Sequence, residues 1–227
     1  MPPIAPAPTA RAESAAVMFP PPGVRAAVFD VVHTLVEPWP PVVEAYHEAA
    51  RRHGVHLAPA VVGERFTTAW RRQEAIDAAA PIPFATSRSR EADRWRSIVA
   101  DVFTGTAATE VIFADLWAHF GRPEAWRPVP AGRELVLAAR AAGLPVVLAS
   151  NFDERLLSIA AVVEPLTLAD HVFASSELGW RKPAAAFFRA VEQRLGLRPE
   201  ELLLVGDDPE LDVAAALRAG WKARPLT

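Results

Sequence analysis

Apolar and polar positions fall into two rhythms along this chain. Between residues 41 and 121 apolar side chains recur at intervals of three and four, the period of a helix with one buried face. Pro41 can open such a helix, with Val42, Val43, Tyr46, Ala49 and Ala50 on one face and Gly54 as its stop. Residues 59–80 repeat the pattern with Val62, Phe66, Ala69, Trp70 and Gln73. Residues 89–105 do so with Trp95, Ile98, Val99 and Val102, and residues 108–121 with Ile112, Leu116, Trp117 and Phe120. Four helices with no strand between them predict a small bundle. Trp70, Trp95 and Trp117 sit among aliphatics at helical spacing, which assigns them to the bundle's core.

The rhythm changes at "GRPEAWRPVPAG", residues 121–132, where three prolines mark a linker. From there helical patterns at 133–143, 153–163, 183–196 and 209–220 alternate with apolar runs at 144–150, 170–176 and 201–208. Such alternation predicts right-handed βαβ units on a parallel sheet. Arg25–Phe29 is a further short apolar run after Pro and Gly, and it reads as another buried strand of that sheet. The expected fold is therefore α/β, a parallel Rossmann-like sheet flanked by helices, with an inserted all-helical cap. Residues 24–36 and 131–227 form the core, and 37–130 form the cap with its linkers. Residues 1–23 are rich in Pro and Ala, bury too little to offset ordering, and read as a flexible tail. Prolines interrupt any signal-peptide core there, and Met18 is an alternative start.

Composition narrows the function classes. The 227 residues are 51% hydrophobic and 22% charged, with a net charge of −3, so no overall field draws in nucleic acid or an anionic membrane. No apolar run reaches the length of a membrane span. The chain has no cysteine, which excludes disulfides, thiolate zinc sites and cysteine nucleophiles and fits a reducing cytoplasm.

Ligands of open parallel sheets sit beyond the carboxyl ends of the strands. Those ends carry Asp30, Ser150 and Asn151, Lys182 after the 170–176 strand, and Asp207, Asp208 and Asp212. Each has a plain alternative: Asp30 as the polar end of a strand, Ser150–Asn151 as a helix cap, Lys182 as a surface residue, Asp212 as a solvated first-turn residue. Asp208 suits the cap of the helix starting at Pro209. Together, however, a carboxylate, a hydroxyl, an ammonium and further carboxylates are what phosphoryl transfer through an aspartyl intermediate needs. Only Lys182 and Lys222 among 24 basic residues are lysine, so the lysine beside Pro183 marks a place that wants a compact point charge. Converging carboxylates also need a cation between them.

This pattern resembles the haloacid dehalogenase superfamily of hydrolases, mostly Mg²⁺-dependent phosphatases. Its first motif, a strand followed by Asp-x-Asp-x-Thr, reads "FDVVHTL" with Asp30 and Thr34 matching. The second, a strand ending in Ser or Thr, reads "VVLASNFD" with Ser150. The third, a lysine often followed by proline, reads "LGWRKPAAAFF" with Lys182. The fourth, Gly-Asp-x-x-x-x-Asp, reads "LLLVGDDPELD" with Asp207 and Asp212. The resemblance implies Asp30 as nucleophile and Mg²⁺ ligand, the Val32 backbone carbonyl and Asp207 as further ligands, and Asp212 in support. It implies that Thr34 hydrogen-bonds the nucleophile, and that Ser150, Asn151 and Lys182 bind a small phosphorylated metabolite.

One position departs. The family's second aspartate, which protonates the leaving group and then activates water, is Val32 here. General acid–base catalysis is worth about 10²–10⁴-fold, so hydrolysis of alkyl phosphates should be weakened. His33 is the nearest titratable group, but extended backbone would point it away from Val32's side. The alternatives are a non-catalytic phosphate- or partner-binding protein and a metal-independent 2-haloacid dehalogenase-like hydrolase. Trp39 stands where the chain turns into the insertion, and Arg88 or Arg90 in "TSRSRE" could meet an anionic substrate.

Overall fold

The computed structural model describes residues 19–226. The expected tail falls mostly on residues 1–18, outside the described residues. Its last few residues are not free: Phe19 packs against the core, and Lys222 donates from Nζ to the Pro22 carbonyl at 2.6 Å. The tail boundary at residue 23 is thus corrected, because an aromatic ring and a backbone carbonyl both find partners on the domain.

β1 (Ala26–Phe29) is buried at all four positions and lies in the middle of a five-stranded parallel sheet. A continuous apolar run, rather than alternation, is what a strand covered on both faces requires. The chain then forms β2 (Val36–Pro38) and four helices, α1 (Val42–Arg52), α2 (Pro59–Ala78), α3 (Arg88–Val102) and α4 (Thr109–His119). It returns through β3 (Trp126–Pro128), which pairs antiparallel with β2. The helices enclose their own apolar cluster, including Tyr46, Val62, Ile98, Val102 and Ile112. The β2–β3 ribbon was not foreseen, because each strand is three residues long and two of the six positions are proline.

The rest of the sheet follows as α5 (Pro130–Ala141), β4 (Val146–Ser150), α6 (Arg155–Ala160), β5 (His171–Ala174), α7 (Ser175–Leu178), α8 (Ala185–Leu195), β6 (Leu202–Gly206), α9 (Ala215–Arg218) and β7 (Lys222–Pro225). Strand order is β5-β4-β1-β6-β7. β1 pairs with β4 on one side and β6 on the other, so the order reverses there and a crevice opens beyond its carboxyl end. Ala27 and Phe29 face one layer with Val136 and Leu156, while Ala26 and Val28 face the other with Phe187 and Val191. β7 carries no apolar run. It joins the edge of the sheet through its backbone pairing with β6.

Two elements differ from their expected form in ways that matter for the site. The helix expected at 209–220 opens instead as a wider π-helical turn, Pro209–Ala214, before α9. Asp208 caps it, accepting the Glu210 and Leu211 amides at 2.8 Å each. α5 begins at Pro130 rather than Arg133, with the proline in the first turn where its missing N–H is harmless. That start brings Gly132 against the Thr34 carbonyl so closely that a Cβ would overlap it. Among the described residues no helix is long and apolar enough to cross a membrane.

Candidate active site

Asp30 follows directly on β1, and its Oδ1 is gripped twice. Ser150 at the end of β4 donates from Oγ at 2.9 Å, and Lys182 donates from Nζ at 2.6 Å. Oδ2 accepts no hydrogen bond among the described residues. Lys182 also donates to Asp212 Oδ1 at 2.5 Å, while Asp212 Oδ2 accepts the Asp208 amide at 3.1 Å. The π-helical turn carries Asp212 inward against Gly206, where a Cβ would collide with its carboxylate.

Thr34 is fully buried, but its partner is not Asp30. Its Oγ1 donates to Asp207 Oδ1 at 2.8 Å and accepts the Asp207 amide at 3.1 Å. The expected bond to Asp30 is therefore corrected: the turn after β1 brings the hydroxyl to the end of β6 instead. Asn151 pairs with the peptide of Lys182, accepting its amide at 2.7 Å and donating to its carbonyl at 3.0 Å. Its side chain thus holds the lysine in place, with one amide hydrogen left for the cavity it lines.

Burial alone would depress the Lys182 ammonium, but the Asp30 and Asp212 carboxylates outweigh it and hold its pKa above the ordinary lysine value. Asp212 is pushed up to about 6, first by burial and then by the Asp30 charge, with Lys182 opposing. Two carboxylates, Asp30 and Asp212, meet this one ammonium, and a third, Asp207, lies nearby. Oxygens of Asp30, Asp207 and Asp212 lie within 4.8 Å of one another, a hard-oxygen set of the kind that holds a divalent cation. Asp212 has both oxygens engaged. Asp30 Oδ2, Asp207 Oδ2 and the Val32 carbonyl accept no hydrogen bond among the described residues, which leaves them available as ligands.

Above these groups lies a cavity of about 450 Å³. Asp30, Ser150, Lys182, Asp207 and Asp212 line it from the sheet side. Tyr46, Phe66, Trp70, Trp95, Phe113 and Trp117 line it from α1 to α4. The three tryptophans assigned to the bundle's core do pack against it, and their half-buried rings also form cavity wall. Helical periodicity finds an inward face without telling whether it packs or encloses space. His33 also lines the cavity, because its backbone is left-handed at φ 63° rather than extended. Trp39 lies outside it, 42% exposed under the Arg127 guanidinium.

Arg88 and Arg90 are not brought to the cavity. Arg88 donates to Glu177 on α7 at 2.5 Å, and Arg90 pairs with Asp77 on α2. The arginines that reach it are Arg71, Arg155 and Arg181, which sequence reasoning passed over. Arg155 is held by Asp153 at 2.7 Å through two nitrogens and donates to the Trp117 carbonyl at 2.6 Å, tying α6 to α4. Arg181 enters a buried cluster of the insertion formed by Glu74, Asp77, Glu91 and Arg94. Beside it the segment before α3 meets the core, through Thr86 N to the Gly179 carbonyl and Arg181 N to the Phe84 carbonyl, both 2.9 Å. Glu74, Asp77 and Glu91 share α2 and α3 with three further acids and seven arginines, so nothing in the local sequence singled them out.

Comparison with known proteins agrees with this architecture. A human haloacid dehalogenase-like hydrolase domain-containing protein 3 is 27% identical over 191 residues, covering 82% of this chain and 74% of its own. A ribulose-1,5-bisphosphate 5-phosphatase from Halopiger xanaduensis is 28% identical over 204 residues, covering 86% and 81%. In fold, the chain superposes on a defluorinating L-2-haloacid dehalogenase with a TM-score of 0.70 at 22% identity, over 89% of this chain and 82% of the other. The model of the haloacid dehalogenase-like hydrolases matches residues 24–220, which takes in the strand ends that carry Asp30, Ser150, Lys182 and Asp207 together with the helical insertion. By that match the chain belongs to the haloacid dehalogenase-like hydrolase family.

Proposed function

We propose that the protein is a Mg²⁺-dependent hydrolase of a small phosphorylated metabolite, working through an aspartyl-phosphate on Asp30. The observation that carries this reading is the division of labour at Asp30: Oδ1 is fixed by Ser150 and Lys182, and Oδ2 is left free toward the cavity. A carboxylate held in one rotamer with one open oxygen is a nucleophile that needs no rearrangement before attack. Ser150 and Lys182 then lie beside the place the phosphoryl oxygens take up. Asp207 Oδ2 and the Val32 carbonyl would hold Mg²⁺, with the Asp30 oxygen that does not attack phosphorus as a third ligand. When bound, the ion supplies charge neutralisation for the transferring phosphoryl group.

Val32 limits the second half of the reaction. With no carboxylate there, neither leaving-group protonation nor water activation has its usual group, a deficit of roughly 3–5 kcal/mol in barrier. The phosphoenzyme should therefore form faster than it breaks down. Intact-mass spectrometry after incubation with an aryl phosphate and Mg²⁺ tests this. A phosphoryl adduct lost in Asp30→Asn and in EDTA supports the reading. No adduct together with halide release from a 2-haloacid in EDTA would replace it with a metal-independent dehalogenase.

A further inference from the structure

We infer that the cavity selects a phosphate ester of an aromatic alcohol, an aryl phosphate, over esters of small polar alcohols. This rests on the hydrolase reading above and adds the leaving group to it. Two independent observations lead to the same substrate class.

One is the wall. The phosphoryl group is small and its corner is set by Asp30, Ser150 and Lys182. The remaining volume faces a run of rings from the insertion. Tyr46 and Phe66 have centroids 5.2 Å apart, Phe66 and Trp70 6.2 Å, and Trp70 and Trp95 5.6 Å. A small polar leaving group would leave these faces against water, whereas a flat ring removes them from it and can stack. Tyr46 makes no side-chain hydrogen bond among the described residues, so its hydroxyl can serve a polar substituent on that ring.

The other is Val32. A leaving group that departs without a proton must be a stable anion. A phenol ionises near pH 10, as a tyrosine side chain does, about six units below water, so phenolate can leave where an alkoxide needs an acid. In the first step an Asp30 oxygen forms a bond to phosphorus, the bond from phosphorus to the aryl oxygen breaks, and its electron pair leaves as phenolate, which takes a proton from solvent. In the second, water adds to phosphorus, the Asp30–phosphorus bond breaks, and orthophosphate and a proton are released. No redox partner is involved.

Four probes separate the two requirements: 2-naphthyl phosphate (aromatic, good leaving group), benzyl phosphate (aromatic, alkoxide leaving group), acetyl phosphate (small, good leaving group) and 2-phosphoglycolate (small, alkoxide leaving group). Phosphorylation of Asp30 is followed by intact mass with Asp30→Asn as control. Naphthyl phosphate should have a KM at least about tenfold below that of acetyl phosphate. It should also react at least about a hundredfold faster than benzyl phosphate at saturation. Trp70→Ala should raise KM for naphthyl phosphate about tenfold, more than it changes kcat. The wild-type comparison carries the test even if that variant does not fold. If acetyl phosphate labels Asp30 and naphthyl phosphate is no better by KM, or benzyl phosphate matches it in rate, the aryl inference fails and the hydrolase reading stands. If none of the four labels Asp30, the hydrolase reading itself fails.

Discussion

Arg181, the residue just before the site's lysine, crosses into the helical insertion and pairs with Asp77 on α2, its Nη1 2.6 Å from Oδ2. Both side chains are buried, and Arg94 reaches the same carboxylate while Glu74 binds both arginines. Burial would lower the Arg181 pKa, but Glu91, Glu74 and Asp77 together hold it above the ordinary value. The cluster has as many guanidinium groups, from Arg90, Arg94 and Arg181, as carboxylates. Removing one member leaves a buried charge without its counterpart, which is costlier than the pair is stabilising.

Arg181→Met should therefore destabilise the protein by about 3–5 kcal/mol. Chemical denaturation monitored by tryptophan fluorescence gives the value. Arg181→Lys should recover part of it, since it returns the charge without the fork that spans Asp77 and Glu74. Equal stability of Arg181→Met and wild type would show that the cluster is not coupled to folding.

Val32→Asp supplies the acid and base the first motif lacks. Turnover of alkyl phosphates should rise about 10²–10⁴-fold, and the phosphoenzyme should no longer accumulate. Steady-state phosphate release and intact mass measured together check both halves. No change in either would mean that water is activated from elsewhere.

Gly206→Ala places a methyl group where the Asp212 carboxylate lies. Asp212 must then move off the Lys182 ammonium. The expected cost is about 1–3 kcal/mol of stability, together with a loss of phosphoenzyme formation larger than that change explains. Thermal melting and the adduct assay, run on the same sample, separate the two effects.

His119 gives the protein a pH dependence of definite sign. Burial, then the Arg52 and Arg122 cations, lower its pKa in the fold, and its Nε2 is buried without a partner. Unfolded, it titrates near the ordinary 6.5 or so. The unfolded chain thus binds more protons in the window below that value, so this group's contribution is fully present above it and is lost as pH falls toward the folded pKa. Asp212, raised to about 6, acts in the opposite direction, its stabilising protonation being lost as pH rises through that value. The difference in melting temperature between wild type and His119→Gln, measured from pH 7.5 to 5, isolates the histidine. The wild type should lose more on acidification than the variant.

How much of this was legible in the sequence depends on how local the signal is. Asp30, Ser150 and Asp207 each follow an apolar run, and a run fully buried in a parallel sheet needs no partner to be recognised. Lys182 stood out because lysine is rare here. Arg181 did not, being one of many arginines, and its partners Glu74 and Asp77 lie more than a hundred residues away in sequence. Thr34 was found, but its partner depends on how the turn after β1 meets the end of β6. Trp70 and Trp95 were placed on the inward face correctly, while the space they face depends on how α2 and α3 stand over the sheet. β7 was missed because an edge strand can be held by backbone pairing alone, with "KARP" as its whole sequence.

The β2–β3 ribbon joins the insertion to the sheet along one line. A body attached along one line can swing about it like a door. Here the loop before α3 and Arg181 fasten the same body at a second place. Opening to admit a substrate or release a product then requires the bolt to be drawn first, its backbone pair and the Arg181 and Arg88 ion pairs broken along with the Arg155 tie to α4. Passage into the cavity would be paced by that release, and because Arg181 and Asp77 are buried, raising the ionic strength should change it little.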